Sequence, residues 1–337
     1  MNEPLLLVLE WVVKSVVLIL FGLTAFAYTT YYERRFLARI QVRVGPNRAG
    51  PFGLLQPVAD GIKLIFKEEF EPAMAYRAVY LLAPILTMVP AVVIMAVIPW
   101  GENITLFGRE IALSLTDINV GILFLLSVAS ISVYGIVLAG WSSNNKYSML
   151  GGLRSTAQMI SYELALGLSF VPPMMLAGSM SLLDIVRHQQ ELTWYIFLWP
   201  FTAIVFYIAV IAEVNRAPFD MPEAEQELAA GYHTEYSGMK FALFFMGEYI
   251  KMIAVSMIFS TLFLGGFDGP FVAQIPLLGP LYLLIKIFVS LGVMIWIRST
   301  WPRIRYDRLM AFGWKVLLPV ALLNVLATAG LIYWFNL

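Results

Sequence analysis

Long apolar runs separated by short charged segments dominate this chain. Runs that can cross ~30 Å of hydrocarbon, which takes about 20 helical residues, fall near 5 to 30, 78 to 99, 119 to 140, 156 to 178, 194 to 212, 240 to 262, 278 to 298 and 315 to 336. The pattern predicts an all-α, polytopic membrane protein with about eight transmembrane helices, a single integral membrane domain over 1–337. After the first run, Leu54, Leu55, Val58, Ile62, Ile65 and Phe66 recur at helical spacing, with Gln56, Asp60, Lys63 and Lys67 on the other face. That predicts an amphipathic helix lying along the membrane surface. Prolines at 84, 90, 172, 173 and 200 fall inside predicted spans, where they mark kinks or are tolerated by packing. No internal repeat is visible, which weakens the case for a transporter of inverted halves. The first run follows MNEPLLL, without the basic flank of a signal peptide, and reads as a retained helix.

Composition narrows the class. At 60% hydrophobic and 13% charged, the chain is too apolar for a soluble domain. Lys plus Arg and Asp plus Glu each total 22, so bulk charge identifies no partner, and no nucleic acid is expected. Placement is more telling. Seventeen of the basic residues fall in 31–77, 141–155, 213–240 and 298–315, against Arg109 and Arg187 in the alternate loops and Lys14, Lys251 and Lys286 within spans. The positive-inside rule puts those four loops in the cytoplasm and both termini outside. With no Cys and only His188 and His233, a thiolate-held cluster, a haem pair or a zinc site on this chain is not expected. Any electron transfer then needs an organic molecule or metal centres on other chains.

The segment EVNRAPFDMPEAEQELAAGYHTEYSGMK at 213–240 carries six carboxylates between two apolar runs. Burial and like-charged neighbours raise a carboxyl pKa toward the range where protons exchange, so acids crowded at a membrane boundary suggest proton handling. Asp220 and Glu223 also fit a helix N-terminal cap, with Glu225 and Glu227 near the positive end of its dipole. Both readings stand for that pair. Only Arg216, Lys240 and His233 are at hand nearby to oppose the acids. Glu163 and Glu248 each lie about eight residues, roughly 10 to 12 Å at 1.5 Å per residue, inside their spans. With Glu213, Lys251 and Lys286 they suggest a lateral row of charge, either a proton route or static ion pairs that order the bundle. Glu10 and Lys14 read as a snorkelling pair near the outer surface. The arginine cluster and surface helix of 31–77 are also consistent with simple anchoring to anionic lipid.

The strings ERRFLARIQVRVGPNRAGPFGLLQPVADGIKLIFKE, GWSSNNKYSMLGGLRSTAQMISYE, AEVNRAPFDMPEAEQELAAGYHTEYSGMKFALFFMGEY and WPRIRYDRLMAFGWK resemble the quinone-site membrane subunits of proton-translocating NADH:quinone oxidoreductase, respiratory complex I. The resemblance covers nearly the whole chain. It implies a subunit, inactive alone, in the bacterial inner membrane at the junction of the membrane and peripheral arms. Quinone would be its substrate, with iron-sulfur clusters and flavin on partner subunits. Those partners would be peripheral-arm quinone and iron-sulfur subunits, small membrane subunits, antiporter-like membrane subunits and lipid. The quinone-binding residues implied are Arg34, Asp60, Arg216, Phe219, Asp220 and Arg298. The proton path implied is Glu213, Glu223, Glu225, Glu227, Glu163 and Glu248, with no metal site. Open alternatives are the matching subunit of a related complex such as a membrane-bound hydrogenase, a stand-alone proton channel, and a scaffold that clamps the peripheral arm.

Overall fold

The computed structural model describes residues 3–106, 109–220, 230–272 and 274–335. Its elements in chain order are α1 (Glu3–Ile40), α2 (Gln56–Ile65), α3 (Arg77–Met95), β1 (Ile104–Leu106), β2 (Arg109–Ile111), α4 (Gly121–Ser142), α5 (Lys146–Ala177), α6 (Leu182–Glu191), α7 (Tyr195–Leu198), α8 (Pro200–Glu213), α9 (Gly238–Phe263), α10 (Leu278–Thr300), α11 (Tyr306–Phe312) and α12 (Leu318–Phe335). The strands form one small antiparallel ladder, Ile104 opposite Ile111. Among the described residues the other regular elements are helices.

Among the described residues, seven helices are long and apolar enough to cross a membrane, and the eighth predicted span is shorter. The run 194–212 is divided: Trp199, at φ −132° and ψ 61°, leaves helical geometry just before Pro200 and separates α7 from the 14-residue α8. A proline ring crowds the residue before it out of the helical region, so the break falls where the sequence places the ring. Pro172 and Pro173, by contrast, lie within a continuous α5, and Pro84 and Pro90 within α3.

Two helices run well beyond their apolar stretches. α1 continues through the arginines to Ile40, and α5 begins at Lys146, where the Asn145 side chain accepts a hydrogen bond from the Tyr147 N–H at 3.0 Å and caps the first turn. The start of the loop predicted at 31–77 and most of that predicted at 141–155 are therefore helix. α2 forms as its periodicity predicts, and Val58, Ile62 and Ile65 remain more than half exposed, an apolar face that the other described residues leave uncovered. α6 was not predicted; Ser181 caps it by accepting from the Asp184 N–H at 3.4 Å.

The core is organised around α9. In its most apolar stretch 67% of residues are buried, against 6% for α1 and 17% for the final span, so α9 is central and those two are peripheral. α9 packs on α3, and α5 packs on α4, α8 and α12. Gly247 allows the close approach of α9 to α3, since a Cβ there would lie 3.2 Å from Met88 Cα. That approach seats the next residue, Glu248. At Gly151 a Cβ would lie 2.6 Å from Gly231 Cα, so α5 meets the 231–233 turn backbone to backbone.

Candidate functional site

Ionisable side chains from α1, α5, α8, α9 and α10, with serines of α4, gather in the interior in a set of neighbouring pairs. Arg34 of α1 pairs with Asp60 of α2 at 2.6 Å, and Gln56 donates to the other Asp60 oxygen at 3.1 Å. The preceding α1 residue, Glu33, points elsewhere, as adjacent helical positions must. It is 3% exposed and takes Arg298 of α10 as one partner and Arg216 Nη1, at 3.6 Å, as another. Arg216 in turn places Nε 2.7 Å from Glu248 Oε1 and its guanidinium 4.3 Å from the Tyr249 ring centre. Two helical faces of α1 thus connect the surface pair to a buried row.

The row continues at Glu213, 1% exposed at the end of α8. Lys251 donates to Glu213 Oε1 at 2.6 Å and to its backbone carbonyl at 3.3 Å, and also reaches Ser132 Oγ of α4 at 3.2 Å. The second Glu213 oxygen is buried and takes no hydrogen bond among the described residues. Two positions before Ser132 on α4, Ser130 bonds Glu163 of α5. Glu213, Glu248, Asp220, His233 and Lys251 share the wall of a small cavity of about 40 Å3, room for about one or two waters. Glu163 stands outside this wall, bonded to Ser130 two residues before the wall-lining Ser132 on α4.

A larger cavity of about 330 Å3 lies between α1, α2 and the start of α9, lined by Phe26, Ala27, Leu64, Phe241, Phe245 and Met246, with Arg34 and Asp60 in its wall. An apolar cavity with a few polar groups is the usual form of a small-molecule site.

The proposed quinone residues therefore divide. Arg34 and Asp60 line the apolar cavity. Asp220 lines the small polar one, Arg216 joins Glu33 to Glu248, and Arg298 reaches Glu33. Phe219 is buried in the main core against Tyr162, their rings 5.6 Å apart. Gln158, fully buried on α5, fixes this loop by donating to the Ala212 and Phe219 carbonyls at 2.9 and 2.7 Å. Of the predicted proton path, Glu213 and Glu248 come together and Glu163 is near; Glu223, Glu225 and Glu227 lie outside the described residues.

Several expected pairings differ. Asp220 is met by Arg303 at 3.1 Å, a residue from far along the chain. Lys240 pairs with Glu69 at 3.4 Å and Glu71 at 2.5 Å, acids of the segment before α3. That hydrogen bond holds the Glu71 carboxyl below its ordinary pKa. Lys286 does not join the row: it donates to the Gly266 and Asp268 carbonyls at 2.8 and 2.6 Å and lies 4.5 Å from the Trp194 ring centre. Depth along a helix was legible, but the face was not. Glu10 and Lys14 do pair, at 2.5 Å. Sequence reasoning missed Glu33, Ser130 and Ser132. Glu33 carried a signal, a carboxylate against two arginines; the serines carried none.

The chain matches the family model described as NADH dehydrogenase over residues 13–329. It is 54% identical to the NADH-quinone oxidoreductase H subunit of Protochlamydia amoebophila, over 91% of this chain and 92% of that protein. The corresponding H subunit of Thermomicrobium roseum is 53% identical over 97% of each chain, and that of Syntrophotalea carbinolica 48% identical over 99% of each. With such identity sustained along almost its full length, this chain belongs to the NADH dehydrogenase family, among the H subunits of the multisubunit NADH-quinone oxidoreductases.

Proposed function

We propose that this chain forms the membrane side of a quinone chamber in a proton-translocating NADH:quinone oxidoreductase and couples quinone reduction to proton movement through its buried acids. The observation that carries the reading is the clustering of these pairs: Arg34–Asp60 at the apolar cavity on the same helix as Glu33, Glu33 in contact with Arg216 and Arg216 with Glu248, and Glu248 sharing the small cavity with the Glu213–Lys251 pair, with Glu163 held by Ser130 of α4. Ionised groups away from water are costly in a membrane protein, and so many in one file argue for use rather than accident. The 330 Å3 cavity suits an apolar ring and tail with polar groups at one end.

Reduction of a quinone to a quinol takes two electrons and two protons. Charge appearing at the chamber acts on acids nearby: a unit charge ~10 Å away at an effective dielectric of ~20 is worth about 1.7 kcal/mol, a little over one pKa unit. That is enough to change the protonation of an acid poised between its two states. Glu213 is built for such a change, with one oxygen on Lys251 and the other unengaged among the described residues. In this reading Glu223, Glu225 and Glu227 feed the same path, and Arg216, Phe219, Asp220 and Arg298 shape the inner end of the chamber.

The assembly sits in a bacterial inner membrane with the helix ends that bear the arginines toward the cytoplasm and both termini outside. Peripheral-arm subunits carry the iron-sulfur clusters and flavin, and antiporter-like subunits complete the pumping beside small membrane subunits and lipid. Glu213→Gln and Glu248→Gln test the proposal in the intact complex. Both are expected to depress quinone reduction and proton translocation together, whereas wild-type rates in both assays would remove these acids from the path.

A further inference from the structure

Ser130 on α4 has one hydroxyl proton and two oxygens within its reach: the Leu126 carbonyl one turn back, at 3.0 Å, and Oε1 of Glu163 on α5. A hydroxyl donates once and accepts twice, while a carboxyl group only accepts when ionised and can donate when protonated. Ser130 therefore cannot donate to both at once, and the protonation of Glu163 decides between them. With Glu163 ionised, Ser130 donates to Oε1. With a proton on Oε1, that O–H donates to Ser130 Oγ, and the serine proton turns to the Leu126 carbonyl, which keeps a lone pair for it beside the helical ladder.

Resting on the proton-handling reading above, we infer that Ser130 is a positioning residue for Glu163, a rotor that satisfies both protonation states of this acid in one place. The proton is gained or lost only at the Glu163 carboxylate. No bond of Ser130 breaks; its hydroxyl turns about Cβ–Oγ. Glu163 and Ser130 are half-buried, and an acid partly withdrawn from water that is satisfied in one state alone is biased toward that state by the cost of leaving the other unpaired.

Ser132 provides the contrast. It lies two residues on, hence on another face of α4, donates to the Ala129 carbonyl at 2.7 Å and accepts from Lys251 at 3.2 Å. Because a lysine ammonium can only donate, the Ser132 proton stays on the carbonyl and this hydroxyl has a single arrangement. Ser130 alone of the two faces a partner that can change from acceptor to donor.

The test uses membrane vesicles carrying the intact complex, with redox-difference infrared spectra and proton translocation measured per assembled complex. The Glu163 carboxyl band is assigned as the one lost in Glu163→Gln. Ser130→Ala is expected to move that band to higher frequency, as its hydrogen-bond acceptor is gone, and to lower translocation about five-fold, the equivalent of one hydrogen bond. Ser130→Thr restores both. Should Ser130→Ala not assemble, Ser130→Cys gives the same band shift, because a thiol is a weak acceptor. An unmoved band with wild-type translocation in Ser130→Ala, beside an impaired Glu163→Gln, overturns the role of the hydroxyl and leaves the proton path standing. Wild-type turnover in Glu163→Gln itself removes Glu163 from the path and this inference with it.

Discussion

Glu213 and Lys251 place opposite charges 2.6 Å apart where both side chains are shut off from solvent. Breaking a buried pair by removing one partner costs about 3–5 kcal/mol, because the other charge is left alone. Glu213→Ala is therefore expected to reduce the amount of assembled complex, and Glu213→Ala with Lys251→Met to recover assembly without recovering coupled turnover. Blotting for the intact complex separates the two effects, and recovery of turnover by the double variant would reduce the pair to a structural tie. Glu33 makes a related case, since it holds Arg216 and Arg298. Glu33→Gln keeps the shape and loses the charge; translocation is expected to fall several-fold while NADH oxidation by an artificial acceptor stays level. Glu163, Glu213 and Glu248 were legible in the sequence because a carboxylate in or beside an apolar run announces its own cost. Glu33 carried a weaker signal, a carboxylate beside two arginines but past the end of the apolar run, where it read as part of a solvated cluster. Which face a charge takes depends on packing partners distant in sequence, so Lys286 was placed in a row it does not join.

Among the elements, the apolar runs marked the order of the long helices and the periodicity the form of α2, but seven long helices stand where eight were expected, because the 194–212 run breaks before Pro200, and the helix ends were not marked. The polar turns that extend α1 and α5 carry no apolar signal and are held by neighbours, as at Gly151 against Gly231. Gly151→Val is expected to force that contact apart at about 1–3 kcal/mol, read as a lower thermal midpoint of the purified complex; an unchanged midpoint would show that the turn can move aside. Near the start of α9, Glu71 and Lys240 tie the 66–76 segment to the helix. The hydrogen bond from Lys240 lowers the Glu71 pKa, so its support is present above the unfolded carboxyl value and is lost as pH falls through the lowered folded one. Glu71→Gln is expected to flatten that acid-side loss in a series of thermal midpoints, and an unaltered pH profile would assign it elsewhere.

On the scale of the whole molecule, α1 joins two compartments. One face gives Arg34 to the apolar cavity and the adjacent position gives Glu33 to the buried row, with α9 supplying Glu248 and Lys251 at the centre of the bundle. Under the proposed function, charge appearing at the cavity acts on these acids by electrostatics. Arg34→Ala is expected to raise the apparent KM for quinone more than it lowers kcat, and unchanged quinone kinetics would take Arg34 out of the chamber. The most direct measurement is redox-difference infrared spectroscopy of the intact complex with quinone oxidised and reduced. Carboxyl bands are expected to change with the state of the quinone and to disappear in Glu213→Gln or Glu248→Gln; spectra in which no carboxyl band responds, or in which those variants alter none, would contradict the proposed role of these acids.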